Sequence, residues 1–151
     1  RDAGMKNFMV EIGGEVRTLG KNNKGSHWKI GIDKPMIGTV PGEEIYSVVS
    51  VSNQAMATSG NYRNFQEYNN VKYSHIIDPR TGQPTQSNIT SVTVIAPNCM
   101  DADALATALN VMDVKEGKAL VESLDGIEAF WITKEKGHVR SVATSGMPID
   151  N

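Results

Sequence analysis

Ile89-Thr90-Ser91-Val92-Thr93-Val94-Ile95-Ala96, followed after four residues by Asp101-Ala102-Asp103-Ala104-Leu105-Ala106-Thr107-Ala108, decides the fold of this chain. The first run has the two-residue period of a strand, with Val92 and Val94 facing one way and Thr93 and Ile95 the other. The second changes to helical spacing. Asp101 or Asp103 is expected to start a helix whose apolar stripe is Ala104, Leu105, Ala108, Leu109 and Met112. Val114 to Leu124 predicts a second helix, with Leu120, Val121 and Leu124 inward and Asp125-Gly126 ending it. Glu128 to Thr133 and Val139 to Thr144 predict a closing hairpin across Lys136-Gly137.

Upstream the pattern is β throughout. Phe8 to Ile12 is apolar, Gly13-Gly14 breaks it, and Glu15 to Leu19 alternates. Asn22-Asn23-Lys24-Gly25 has the chemistry of a hairpin turn. Trp28, Ile30 and Ile32 alternate with His27, Lys29 and Gly31; Pro35 to Gly42 reads as a loop and Ile45 to Val51 as a β-branched strand. Ser52 to Asn61 is small and polar, and reads as a loop or as backbone that approaches a ligand. Lys72 to Ile77 predicts a short strand ending at Asp78-Pro79. The expected fold is α+β: one domain over residues 1-151, with an antiparallel-rich sheet and helices packed on one side.

The 151 residues suffice for one domain with a real core. Hydrophobic content of 39%, charged content of 21% and a formal net charge of -2 are those of an ordinary globular protein. Acids and bases are interspersed, so no basic run points to nucleic acid. No apolar stretch approaches the roughly 20 residues that span a bilayer. Cys99 is the one cysteine, which excludes an intrachain disulfide and a cysteine zinc cluster and leaves the compartment open. It reads as a small, half-buried loop residue. Arg1 to Asn7 resembles neither a signal peptide nor a natural start, so the chain is expected to begin within a longer protein.

Three side chains carry the chemistry. Asp103 and Thr107, four apart on a helix, point from one face. A carboxylate and a hydroxyl are hard oxygen ligands suited to Mg²⁺, which takes its remaining ligands from water and phosphate. The same spacing also fits an acid at a helix start and a packed threonine. His75, three residues before Asp78-Pro79, can orient or deprotonate a nucleophile near neutral pH, or bond a phosphate; a structural histidine fits equally. His27 and His138 are expected to be solvated. Gly13-Gly14 and Ser59-Gly60 allow close backbone approach, but neither is a P-loop or a GxGxxG element.

In this order the motifs resemble the ApbE family, the FAD:protein FMN transferases. The resemblance rests on Val10-Glu11-Ile12-Gly13-Gly14-Glu15-Val16-Arg17, Trp28-Lys29-Ile30-Gly31-Ile32 and Ala57-Thr58-Ser59-Gly60-Asn61-Tyr62. It continues through His75-Ile76-Ile77-Asp78-Pro79-Arg80-Thr81-Gly82 and Ala102-Asp103-Ala104-Leu105-Ala106-Thr107-Ala108. It implies a T-fold-like α+β part and an enzyme that cleaves the FAD pyrophosphate. FMN would pass through a phosphoester to a threonine or serine of a target flavoprotein, releasing AMP. Asp103 and Thr107 match the family's Mg²⁺ pair, and His75 matches its catalytic histidine beside the flavin phosphates. Ser59 and Ile77 fall where the family contacts FAD. Where some members carry a second acid before the helix threonine, this chain has Ala106.

The match covers the family's C-terminal half. It implies that the N-terminal half, with most of the isoalloxazine and adenine pocket and a further metal contact, or a second copy, is needed to complete the site. The partner implied is a flavoprotein of a membrane redox complex. The location implied is the bacterial cell envelope, on the periplasmic side of the inner membrane, as a lipoprotein. Two alternatives stand beside transfer: a flavin-nucleotide-binding module, and a pyrophosphatase that hydrolyses FAD to FMN and AMP.

Overall fold

The computed structural model describes residues 4–36, 38, 40, 42–61, 65–68, 71–85 and 87–150. Twelve strands and two helices are built from them. β1 (Phe8–Ile12) reverses at Gly13-Gly14 into β2 (Glu15–Leu19), and β3 (Trp28–Asp33) pairs with β4 (Ile45–Val51) as a separate hairpin. β5 (Ala55–Gly60) leads to two small hairpins, β6 (Phe65–Tyr68) with β7 (Val71–Ser74) and β8 (Ile77–Asp78) with β9 (Gln83–Pro84). Then come β10 (Ile89–Ala96), helix α1 (Cys99–Val111), helix α2 (Val114–Glu122), and the hairpin β11 (Glu128–Glu135) and β12 (His138–Ala143). Six strands form one antiparallel sheet in the order β1-β2-β5-β10-β11-β12.

The alternation of β10 feeds two cores. Val92 and Val94 face the helices and pack with Ala57, Ala102, Ala106, Leu109, Val121 and Trp131. Ile95 faces the other way and packs with Val16, Met56, Phe130 and Ile132 beneath Ile32, Val49 and Val51 of the β3–β4 hairpin. The sheet thus lies between helices on one face and a hairpin on the other, as expected where a buried central strand has apolar side chains on both sides. The C-terminal segment straps β4: Ser50 N–H donates to Pro148 O (2.9 Å), and Lys29 Nζ lies 2.5 Å from Asp150 Oδ2.

Four expectations about the helices shift. α1 begins at Cys99, not at Asp101 or Asp103, because Asn98 caps it: the Asn98 side chain accepts from Asp101 N–H (2.9 Å). Cys99 is half-buried as expected, but it opens a helix rather than lying in a loop. The buried stripe of α1 is Ala102, Ala106, Leu109 and Asn110, while Ala104 and Ala108 are exposed. Leu105, Leu109 and Met112 do face the core as expected, but alanine is small enough for either face, so the pattern alone misplaced Ala104 and Ala108. Likewise Leu120 is exposed and α2 docks through Gly117 and Val121; a Cβ at Gly117 would meet Leu109 Cδ2 at 3.0 Å, so helix approach rather than residue size chose the inward positions.

Ser52 to Asn61, read as a loop or as backbone approaching a ligand, contains β5 at the centre of the sheet. Its alanines are poor strand formers, but α1 rests on them and leaves no room for larger side chains. Asn22 to Gly25 does turn, with Gly25 N–H donating to Asn22 O (3.0 Å), yet it links two sheets rather than a hairpin. The strand expected over Lys72 to Ile77 divides into β7 and β8, with His75 in the break.

Candidate functional site

The site arises where the central sheet is left one-sided. β5 pairs with β10 along its whole length, from Ala96↔Ala55 to Ser91↔Gly60. On its other edge it meets β2 only at Val16↔Met56 and Arg17↔Ala55, because the chain reverses at Gly13-Gly14. Both glycines have positive φ (71° and 107°), which suits a two-residue hairpin loop that other residues would strain. Among the described residues, no strand covers that edge of Thr58, Ser59 and Gly60.

A cleft of about 720 Å³ opens there. Gly13 and Gly14 form one rim, and Ile30, Ile32 and Ile45 of the β3–β4 hairpin form an apolar wall. Thr58, Ser59 and Gly60 of β5 line it, with Asp103 and Thr107 of α1 and His75 from the break between β7 and β8. Four of the five residues singled out from sequence therefore meet at one cavity. Ile77 does not line it: this side chain is 50% exposed in β8, while its neighbour Ile76 is buried.

Asp103 and Thr107 are both exposed and one turn apart, held in place by Ala102 and Ala106, which are fully buried against the sheet. Ala106 thus serves packing, and the helix turn offers the cavity two oxygen ligands. Those two fit Mg²⁺, whose other ligands are ordinarily waters and phosphate oxygens. Among the described residues no group of three or more His, Cys, Asp or Glu side chains could hold a metal, so a softer or fully protein-caged ion fits less well.

His75 is exposed, but its backbone is fixed on both sides. Ile76 N–H donates to Ser74 Oγ (3.1 Å), and Thr85 N–H donates to Ile76 O (2.9 Å). Beyond it the Asp78 carboxylate accepts from Arg80 Nε (3.0 Å) and Nη2 (2.9 Å), and Arg80 Nη2 also donates to Val111 O (3.2 Å) at the end of α1. Hydrogen bonding to the Arg80 guanidinium holds the Asp78 carboxyl below the usual carboxylate range. A cation against the last carbonyls of a helix is also favoured by the dipole. The turn that follows His75 is thereby clipped to the helix that carries Asp103 and Thr107.

The sequence reading missed several residues here. Glu11 and Asp33 add carboxylates to the lining, and Thr58 Oγ1 lies 2.8 Å from Thr93 Oγ1 across the β5–β10 pair. Asn61 and Asn110 are joined by a 2.8 Å hydrogen bond at the end of β5. Only the 103, 107, 110 spacing on one helix stripe could have pointed to Asn110; the others carry no local pattern.

The sequence model of the ApbE family matches residues 1–131. Among curated proteins, the FAD:protein FMN transferase of Vibrio cholerae is 43% identical over 142 residues, covering 94% of this chain and 41% of that protein. The FAD:protein FMN transferase of Escherichia coli K12 is 38% identical over 132 residues, covering 87% of this chain and 36% of that one. The chain spans about two-fifths of the length of these relatives. Among solved structures, the flavin transferase ApbE of Vibrio cholerae superposes with a TM-score of 0.78 at 42% identity, covering 95% of this chain and 44% of that one. The apo flavinyl transferase ApbE of Pseudomonas stutzeri gives 0.76 at 35% identity, covering 94% and 42%.

Proposed function

The chain belongs to the ApbE family, and on that premise we propose that it carries the phosphate-facing wall of an FAD:protein FMN transferase. The observation that carries the reading is the convergence of His75, Asp103 and Thr107 on one cleft beside the uncovered edge of β5. Their oxygen and imidazole donors suit a pyrophosphate and a hard cation, and relatives 43% and 38% identical over most of this chain are named for this reaction.

In the proposed reaction the hydroxyl oxygen of a target threonine or serine attacks the FMN-side phosphorus of FAD. The bond from that phosphorus to the bridging oxygen breaks, and AMP leaves with the electron pair. A hydroxyl is a weak nucleophile until it is aimed and relieved of its proton. His75 takes that proton at an imidazole nitrogen, or holds the phosphate in line for the attack. Asp103 and Thr107 would hold Mg²⁺, which supplies charge neutralisation at the pyrophosphate. Ser59 and Gly60 present backbone and a hydroxyl to the cleft, where the ligand can lie close to the strand. The acceptor is read as a flavoprotein of a membrane redox complex.

Incubation of the protein with FAD, Mg²⁺ and a peptide bearing the acceptor threonine tests this. The expected result is covalent flavin on the peptide, seen by in-gel fluorescence, with one AMP released per flavin and both lost on chelation. AMP and FMN without labelled peptide would replace transfer by FAD hydrolysis. FAD bound without AMP release would leave a flavin-binding module, and no response to FAD even with the N-terminal half of an ApbE-family protein added back would sink the flavin reading.

A further inference from the structure

We infer that Asn110, Asn61 and Ser74 form a positioning relay that fixes His75 relative to Asp103 and Thr107; its catalytic meaning rests on the function proposed above. Asn110 lies three residues after Thr107 and seven after Asp103, on the same stripe of α1. The stripe runs from the cleft into the core: Asp103 and Thr107 are exposed, whereas Asn110 is 0% exposed. A buried amide left unsatisfied costs on the order of 1–3 kcal/mol, and a leucine or methionine would fill such a position in an apolar core. Its amide nitrogen and oxygen are instead each hydrogen-bonded.

Asn110 Nδ2 donates to the backbone oxygen of Ser59 (3.1 Å), a residue that lines the cleft. Asn110 Oδ1 accepts from Asn61 Nδ2 (2.8 Å), which also donates to Ile89 O (3.2 Å). Asn61 Oδ1 accepts from Ser74 Oγ (3.1 Å), and Ser74 Oγ accepts from Ile76 N–H (3.1 Å). Ser74 and Ile76 are the two neighbours of His75. Turning Asn110 over would set donor against donor and oxygen against oxygen, and turning Asn61 over would set its oxygen against Asn110 Oδ1 and Ile89 O, so the network favours one arrangement. A buried hydrogen-bonded chain at low dielectric is stiff and specifies geometry. It runs from the helix of the proposed metal pair, through the end of β5, to both sides of the histidine, and misplacement by about 1 Å at a reacting group can cost about 10²-fold in rate.

Amide hydrogen exchange by NMR on the protein without FAD or metal tests the relay, with β10 amides as the measure of global opening. Ser74→Ala should speed Ile76 exchange about tenfold or more relative to β10 and shift the Asn110 side-chain amide resonances. Asn110→Ala should in turn move the His75 ring resonances, and Ser74→Thr should restore the parent spectrum. Ser74→Ala that leaves both Ile76 exchange and the Asn110 amide unchanged overturns the relay, even if Asn110→Ala proves too unstable to measure. In the transfer assay Ser74→Ala should lower kcat about tenfold with KM for FAD within about twofold; an unchanged kcat overturns the positioning role. A parent protein that transfers no flavin even with the family's N-terminal half added back overturns the proposed function instead, and the exchange data still decide the relay.

Discussion

The two halves of β5 have opposite fates. Ala55, Met56 and Ala57 are buried between α1 and the β3–β4 hairpin, and Ala55 and Met56 pair on both edges. Thr58, Ser59 and Gly60 continue the same strand and keep their β10 partner, but they lose β2 and face a cavity. The difference is two residues of register beyond a glycine turn. A sheet that withholds one partner from a central strand makes a recess with backbone exposed in it, while the closed half supplies the rigidity that holds the recess open. The oxygen and imidazole donors proposed for the chemistry come from a helix and a short segment clipped to that helix.

The sharpest way to separate the halves is Asp103→Ala. The side chain is exposed and lies against the open half, so stability should stay within about 0.5 kcal/mol. The proposed Mg²⁺-dependent FMN transfer should fall on the order of 10²-fold or more, at least about 2.7 kcal/mol in the barrier. Chemical denaturation beside the transfer assay checks both. A variant that unfolds easily, or that transfers normally, breaks the division between a closed packing half and an open working half.

The closed half predicts the reverse. Ala57→Leu places three extra carbons where α1 rests on the sheet and should cost about 1–3 kcal/mol by urea denaturation. Ser59→Ala, in the open half, keeps the backbone carbonyl that Asn110 bonds and should move stability by less than about 0.5 kcal/mol. Equal losses in the two variants would mean that the strand is packed alike along its length.

The smallest effect concerns the clip beyond His75. Arg80 depresses the folded Asp78 pKa below its unfolded value of about 3.9. The contribution is complete above that unfolded value and is lost as pH falls through the lower folded one. Stability of the parent protein should therefore fall faster between about pH 5 and 2 than that of Asp78→Asn, which keeps the turn but not the charge. The pair is at the surface, so 1 M salt should shrink the difference. Parallel acid curves for the two proteins would remove the ionic part of the clip.

Much of this was legible in the chain. The alternation of Ile89 to Ala96 fixed a strand with two apolar faces, and both faces are in fact buried by different layers. The Asp103 to Thr107 spacing put two oxygens on one helix face, and the closing hairpin fell across Lys136-Gly137 as its residues indicate. Local periodicity is enough for these because each depends on neighbours within one element. The small residues from Ala55 to Gly60 misled, since what makes them a strand is the helix lying on them, and a chain read in order does not reveal its neighbours in space. For the same reason the cap by Asn98, the exposed Leu120 and the absence of Ile77 from the cleft were not readable.

The sequence by itself determined the α+β class, the kinds of side chain available to bind phosphate and metal, and the family to which they belong. Only the tertiary structure decided that His75, Ser59, Asp103 and Thr107 share a cavity, and that Asn110, Asn61 and Ser74 bind one wall of it to another. The physical reason is separation along the chain. Ser59 and Asp103 lie on elements joined only by strand register and helix packing, so their distance is set by the cumulative geometry of the sheet rather than by any local rule.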